Sequence, residues 1–296
     1  MATAAASATT NRKRDGFWSR RRRLHLQNHL LTYLVLVPGA LLFLYPLLWM
    51  LSTSLKPKHQ IFTYPIEWIP DTWMWSNYGE VFNQVPFLTY TINTAVITVI
   101  GVVGTLFGSS LAAYGFARFR FPGKDALFVL MLSTMMVPIW VTLIPSFLMF
   151  RWFGWLNSYL PILVPAFFAQ PFYTFLLRQF FMTVPIDLED AARIDGANRL
   201  QIFLNIMLPL SRPALATVAI FAFFFYWNEF LLPLIYIQDQ SKFPISVGIS
   251  AFVSEYRSDF ALMMAASGMA LAPPMVVFFL AQRYFIQGFV LSGVKG

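Results

Sequence analysis

Phe87-Leu88-Thr89-Tyr90-Thr91-Ile92-Asn93-Thr94-Ala95-Val96-Ile97-Thr98-Val99-Ile100-Gly101-Val102-Val103-Gly104-Thr105-Leu106-Phe107-Gly108-Ser109-Ser110-Leu111-Ala112-Ala113-Tyr114-Gly115-Phe116 runs without a single charged side chain. A helix needs about 20 apolar residues to cross a bilayer, so this run predicts a membrane span and not a core helix of a soluble protein. Within it Gly101, Gly104, Gly108, Ser109, Ala112 and Ala113 form a small-residue stripe. Such a stripe lets another helix approach closely, and helix packing is its reading here.

Five further stretches share the pattern, giving six spans at 30–51, 87–116, 126–150, 156–177, 213–236 and 261–285. The expected fold class is therefore all-α, a polytopic integral membrane protein with six transmembrane helices. Several spans contain proline (Pro38, Pro46, Pro138, Pro145, Pro161, Pro165, Pro171, Pro273, Pro274). Proline frees carbonyls that neighbouring helices can re-satisfy in a membrane, so kinked helices around a pathway are expected. The composition agrees: 58% of the 296 residues are hydrophobic and only 11% charged, against about 25% in soluble domains. The chain has no cysteine, which excludes disulfides, thiolate zinc sites and cysteine nucleophiles.

The net charge of +8 has a direction. With the N-terminus inside, the head (Arg12, Lys13, Arg14, Arg20–Arg23) joins Arg118, Arg120, Lys124, Arg178, Arg193, Arg199, Arg212, Arg283 and Lys295 on the inner side. Only Lys56, Lys58, Arg151, Lys242 and Arg257 fall outside. The positive-inside rule then places both termini in the cytoplasm. Residues 1–29 read as a basic cytoplasmic head, disordered over its first part, whose arginine run faces anionic lipid instead of nucleic acid. Residues 30–296 form the transmembrane domain, ending in a cytoplasmic tail at 286–296. The first span has no small-x-small cleavage pattern after it and reads as uncleaved. Between spans one and two, Trp68, Trp73, Trp75 and Tyr78 mark a loop with a short interfacial helix.

The inner segment 184–209 is longer than a connection requires. It reads as two short helices: Asp187 caps the first, with Asp190 in the capping-box position, and Gly196 ends it in the left-handed conformation. Asn198 caps the second, which carries Leu200, Phe203, Leu204 and Met207 at helical spacing and stops before Pro209. A compact, charged, two-helix projection on the cytoplasmic face is a docking element. Its mixed charges argue against a helix pair lying in the lipid interface.

Glu189-Asp190-Ala191-Ala192, then Gly196, then Ile206-Met207-Leu208-Pro209, resembles the EAA loop of membrane subunits of bacterial ATP-binding-cassette (ABC) importers. Asp190 stands where that pattern usually has glutamate. Ser54-Leu55-Lys56-Pro57, Asn77-Tyr78, Ala112-Ala113-Tyr114, Phe121-Pro122-Gly123-Lys124, Trp227-Asn228-Glu229 and the closing Gly293-Val294-Lys295-Gly296 are similar to the carbohydrate-uptake permeases of the maltose-transporter type, in its smaller six-span partner. The resemblance covers almost the whole chain. It implies a type I ABC importer fold in the bacterial inner membrane. It also implies a second, different permease, two ATPase subunits, an extracytoplasmic solute-binding protein, and sugar or oligosaccharide as cargo. ATPase coupling then falls to Glu189, Asp190, Ala191, Ala192, Arg193, Asp195, Gly196, Ile206, Leu208 and Pro209. The tail Gly293, Val294, Lys295 and Gly296 reaches between the ATPases.

The chain contains no Gly-x-x-x-x-Gly-Lys-Ser/Thr run, so ATP and magnesium belong to a partner and no cofactor is expected on this chain. His25, His29 and His59 all lie outside the spans, and no metal-ligand or catalytic constellation is seen; a membrane enzyme is the poorer reading. Glu229 is the one ionisable residue inside an expected span, next to Tyr226, Trp227 and Asn228. It contacts cargo, or else it lies solvated at the outer mouth, meets the binding protein, or serves the outer gate or helix packing. Asn93 and Gln170 are further pathway candidates, with interhelical hydrogen bonding as their alternative role. An ABC permease for a non-sugar solute and an ion-coupled secondary transporter are the competing functions; the latter would want more intramembrane acids.

Overall fold

A computed structural model describes residues 32–250, 252–254 and 257–293. The basic head and tail residues Val294, Lys295 and Gly296 lie outside the described residues. In chain order the helices are α1 (Thr32–Ser54), α2 (Ser76–Gln84), α3 (Phe87–Arg118), α4 (Lys124–Ser133), α5 (Ile139–Trp152), α6 (Leu160–Leu163), α7 (Pro171–Thr183), α8 (Asp187–Ile194), α9 (Arg199–Ile202), α10 (Leu208–Leu210), α11 (Arg212–Asn228), α12 (Leu231–Tyr236), α13 (Ile245–Ser250) and α14 (Phe260–Gly293). Two short strands, β1 (Val253–Ser254) and β2 (Arg257–Ser258), form an antiparallel ribbon ahead of α14, a small exception to the all-α expectation.

Among the described residues, four helical segments are long and apolar enough to cross a membrane alone: Thr32–Ser54, Phe87–Arg118, Leu160–Thr183 and Phe260–Gln282. Counting each of two bent pairs as one span brings the total to six. The third expected span, 126–150, is not continuous: Lys124–Met136 and Ile139–Trp152 meet at 100°. Pro138 supplies no N–H and forces its predecessor Val137 into an extended conformation, so the helix stops there and restarts. The fourth span starts later than 156 and is interrupted before Pro171, with Gln170 extended at the break. The fifth is also divided: α11 ends at Asn228, Glu229 and Phe230 are non-helical, and α12 follows.

At the centre stands α3, packed mainly against α7 and α11, while α14 lies on α11 and α2. The glycine stripe makes this possible. A Cβ at Gly101 would lie 2.6 Å from the Tyr226 ring, and one at Gly108 would lie 2.3 Å from the Phe167 carbonyl oxygen. Both are far inside contact distance, so the helix backbone itself forms the packing surface. By contrast α1 is exposed along nearly its whole apolar length and is fastened at its C-terminal end, where Ser54 Oγ and the Tyr78 hydroxyl are 2.8 Å apart. The expected interfacial helix between spans one and two is α2.

The prolines of α14 illustrate how a broken ladder is repaired. Pro274 cannot donate to the carbonyl four residues earlier, that of Ala270. Trp227 Nε1 on α11 donates to that carbonyl at 3.1 Å, the re-satisfaction from a neighbouring helix that a membrane demands.

Candidate functional site

Pro185 opens the 184–209 segment, and its preset φ lets the helical turn begin with Ile186, whose carbonyl accepts from Glu189 and Asp190. The expected cap at Asp187 is thereby displaced: Asp187 sits inside the first turn of α8 with Glu189 and Asp190, where the helix dipole favours acid, and makes no capping bond. Gly196 ends α8 at φ +81°. Asn198 caps α9 as expected, and Gln201 completes the box. The Gln201 backbone N–H donates to Asn198 Oδ1 (2.9 Å), and the Asn198 N–H donates to Gln201 Oε1 (2.8 Å).

The second helix departs from expectation. It does not stop before Pro209 but passes through a π-helical turn, Phe203–Met207, into α10, which contains Pro209. A π turn takes in one more residue than an α turn, which re-aims the helix face. Ile202, Phe203 and Met207 are buried in the core, while Leu200 and Leu204 point away from it. Around Gly196 the projection therefore shows apolar knobs to its surroundings: Ile194 is 86% exposed and Leu200 60%. Asp190, Ala191, Arg193, Asp195 and Pro209 are exposed too, whereas Ala192, Ile206 and Leu208 pack on the core.

Glu189, one of the expected coupling residues, is not on the surface of the projection. Its side chain is only 1% exposed and faces inward, with Oε1 2.8 Å from Nε of Arg118 at the inner end of α3. Arg193 approaches its other oxygen at 3.4 Å and pairs with Asp190 at 2.7 Å. Arg118 also donates through Nη2 to the carbonyls of Phe181 (2.7 Å) and Val184 (2.5 Å), capping the end of α7. Sequence reading used Arg118 only as an orientation charge. Its position four residues after an alanine–tyrosine pair carries no signal of the acid it meets 71 residues later.

The pathway candidates separate into two groups. Gln170 Nε2 donates to the Tyr226 hydroxyl (3.1 Å), which lies 3.3 Å from Thr105 Oγ1; this buried cluster ties α3, α7 and α11. Trp227 is buried against α14 through the bond to Ala270. Nearer the outer side, Asn93 donates to the carbonyls of Ser241 (2.8 Å) and Phe243 (3.0 Å). Glu229 sits in the break after α11: Oε1 accepts from the Leu232 N–H (3.0 Å), starting α12, and its carbonyl accepts from Ser246 Oγ (2.7 Å). Asn228 is exposed, its amide donating to the Phe224 carbonyl (2.8 Å). A cavity of about 590 Å³ opens between the start of α3 and the residues preceding α14, lined among others by Lys58, Gln84, Tyr90, Gln240, Phe243 and Asp259. None of the six pathway candidates is among its lining residues.

Residues 104–290 match the family described as binding-protein-dependent transport system inner membrane component. The chain belongs to that family. This inner membrane component is 34% identical over 260 residues to the arabinooligosaccharides transport system permease protein AraQ of Bacillus subtilis (strain 168), covering 87% of this chain and 92% of the relative. It is equally 34% identical, over 268 residues, to the sn-glycerol-3-phosphate transport system permease protein UgpE of Yersinia pestis bv. Antiqua (strain Antiqua), covering 88% of this chain and 95% of the relative. Among solved structures, a chain of a bacterial ABC transporter involved in the import of the acidic polysaccharide alginate superposes with a TM-score of 0.77 at 28% identity, covering 86% of this chain and 95% of that one. The inner membrane component thus has the fold of an ABC importer permease and is a multi-pass inner membrane protein.

Proposed function

We propose that this chain is the permease subunit of an ATP-driven, binding-protein-dependent importer of sugars or oligosaccharides, and that residues 184–209 seat it on a partner ATPase. The observation that carries the coupling assignment is the projection itself. One side is anchored in the core by Glu189, Ile202, Phe203 and Met207, and the other presents Ile194 and Leu200 beside the mixed charges of Asp190, Arg193 and Asp195. Apolar knobs with a charged rim are the surface expected of a docked protein contact. ATP and magnesium bind the ATPases, which lie on the cytoplasmic side with both termini of this chain; Gly293, Val294, Lys295 and Gly296 reach towards them. A second, different permease completes the pathway, and a solute-binding protein delivers cargo from outside. The sugar assignment is supported by relatives named for arabinooligosaccharides and alginate. UgpE supports a second reading, a phosphorylated polyol.

Purification of the tagged chain in mild detergent should recover a second permease and an ATPase, and Ile194→Asp should release the ATPase while retaining the permease. Capture of the ATPase undiminished by Ile194→Asp and Leu200→Asp together would remove the coupling assignment. Uptake in vesicles of labelled arabinooligosaccharide against labelled glycerol 3-phosphate separates the two cargo readings.

A further inference from the structure

Resting on the coupling assignment of residues 184–209, we propose that the buried Arg118–Glu189 pair is a positioning device that makes α3 a driven lever of the transport cycle. A hairpin between spans four and five is covalently continuous with those spans alone. The central helix α3 is not part of that continuity, so the hairpin can act on its inner end directly only through non-covalent contacts.

The inner end of α3 is gripped by both halves of the projection and by α7. Glu189 on α8 meets Arg118, whose side chain is 8% exposed. The Arg199 guanidinium lies 4.5 Å from the centre of the Phe119 ring, just past the end of α3, and Phe203 packs on Tyr114 with ring centres 5.1 Å apart. From α7, Arg178 Nε donates to the Phe116 carbonyl at 3.3 Å. Among these grips the ion pair is the most costly to break, because separating the partners would strand a buried charge. Arg118 is moreover fixed by its two bonds to the end of α7. Displacement of α8 is therefore passed to α3 instead of being absorbed by a rotamer change. A purely structural pair would matter for assembly and be silent afterwards; a positioning pair must alter the yield of transport per ATP.

The test uses the complete importer in nanodiscs or proteoliposomes with its ATPases, binding protein and labelled cargo. Uptake and ATP hydrolysis are both measured per assembled complex. Glu189→Gln and Arg118→Met should lower cargo moved per ATP by about tenfold, within the range typical of coupling between sites. Arg118→Lys, which keeps the charge and loses the fork, should recover part of it. Assembled variants that import with the native uptake per ATP, even if their yield is poor, would overturn the proposal. The same holds if Arg118→Lys is no better than Arg118→Met. Ile194→Asp combined with Leu200→Asp serves as the reference: if the double variant does not loosen the ATPase, the coupling assignment itself has failed. If it does and Glu189→Gln transports normally, only the role of the pair has failed.

Discussion

Lys56 is 1% exposed; its Nζ has no hydrogen-bond partner among the described residues and lies 4.6 Å from the centre of the Trp49 ring. Burial pushes its amino group below the ordinary lysine value of 10.5, with Glu67 partly offsetting the effect. Between the lowered value and 10.5 the unfolded chain binds more protons than the folded one, so stability rises with pH across that window. Lys56→Met keeps the stem and removes the buried charge; it should raise the melting temperature in neutral detergent and flatten the rise towards pH 10. Parallel melting curves for the two proteins would mean that the amino group is solvated. At Trp227 the expectation is reversed. Trp227→Phe strands the Ala270 carbonyl at a cost of about 1–2 kcal/mol, and adding Pro274→Ala, which returns an N–H to that carbonyl, should recover most of the loss. A double variant no more stable than the single one in thermal unfolding would show that the bond is incidental. Gly196 lies at φ +81° with open space where a Cβ would go, so strain alone separates its replacements. Uptake per ATP should fall in the order Asn, Ala, Val, since asparagine tolerates the left-handed region best and a β-branched residue worst.

Among the elements, α3 offers an internal control. Gly108→Ala would drive a methyl into the Phe167 backbone, which has no rotamer with which to yield, whereas Gly115 meets nothing within 4 Å. Gly108→Ala should therefore lower assembly and melting temperature, and Gly115→Ala should be neutral or gain up to about 1 kcal/mol from helix propensity. Equal effects in the same detergent assay would mean that α3 does not pack through its stripe. The contrast also shows what the sequence made legible. Long uncharged runs, the stripe, the interfacial helix, Gly196 and Asn198 were readable because each rests on local chemistry. The elbow of the third span was foreseeable only as a kink, because a proline states where an N–H is missing and not how far the chain then turns. Which of Leu200, Phe203, Leu204 and Met207 would face the core was not legible because a π turn leaves no compositional trace, and the inward turn of Glu189 was not legible because its partner is distant in sequence. Asn93 and Gln170 were noticed as polar groups in apolar runs and Trp227 only as a neighbour of Glu229; which carbonyl or hydroxyl each would find depends on the packing of whole helices.

For the molecule as a whole, the asymmetry of Lys and Arg predicts an orientation that the cysteine-free sequence allows to be tested without background in this chain. Ser241→Cys should react with a membrane-impermeant maleimide added to intact cells with a permeable outer layer, and Ile194→Cys only after the inner membrane is opened. The reverse pattern would invert the topology and remove the docking surface from the cytoplasm. The backbone contacts of the glycine stripe carry a further consequence. Where backbone and rings meet without intervening aliphatic side chains, there is little that can repack, so α3 and its neighbours behave as a weld. Shape change is left to the joints: the breaks at Val137–Pro138, before Pro171, at Ser211 and at Glu229–Phe230. A chain built as one weld with several joints can acquire a new cargo by altering the lining beside the joints, while its stem stays as it is.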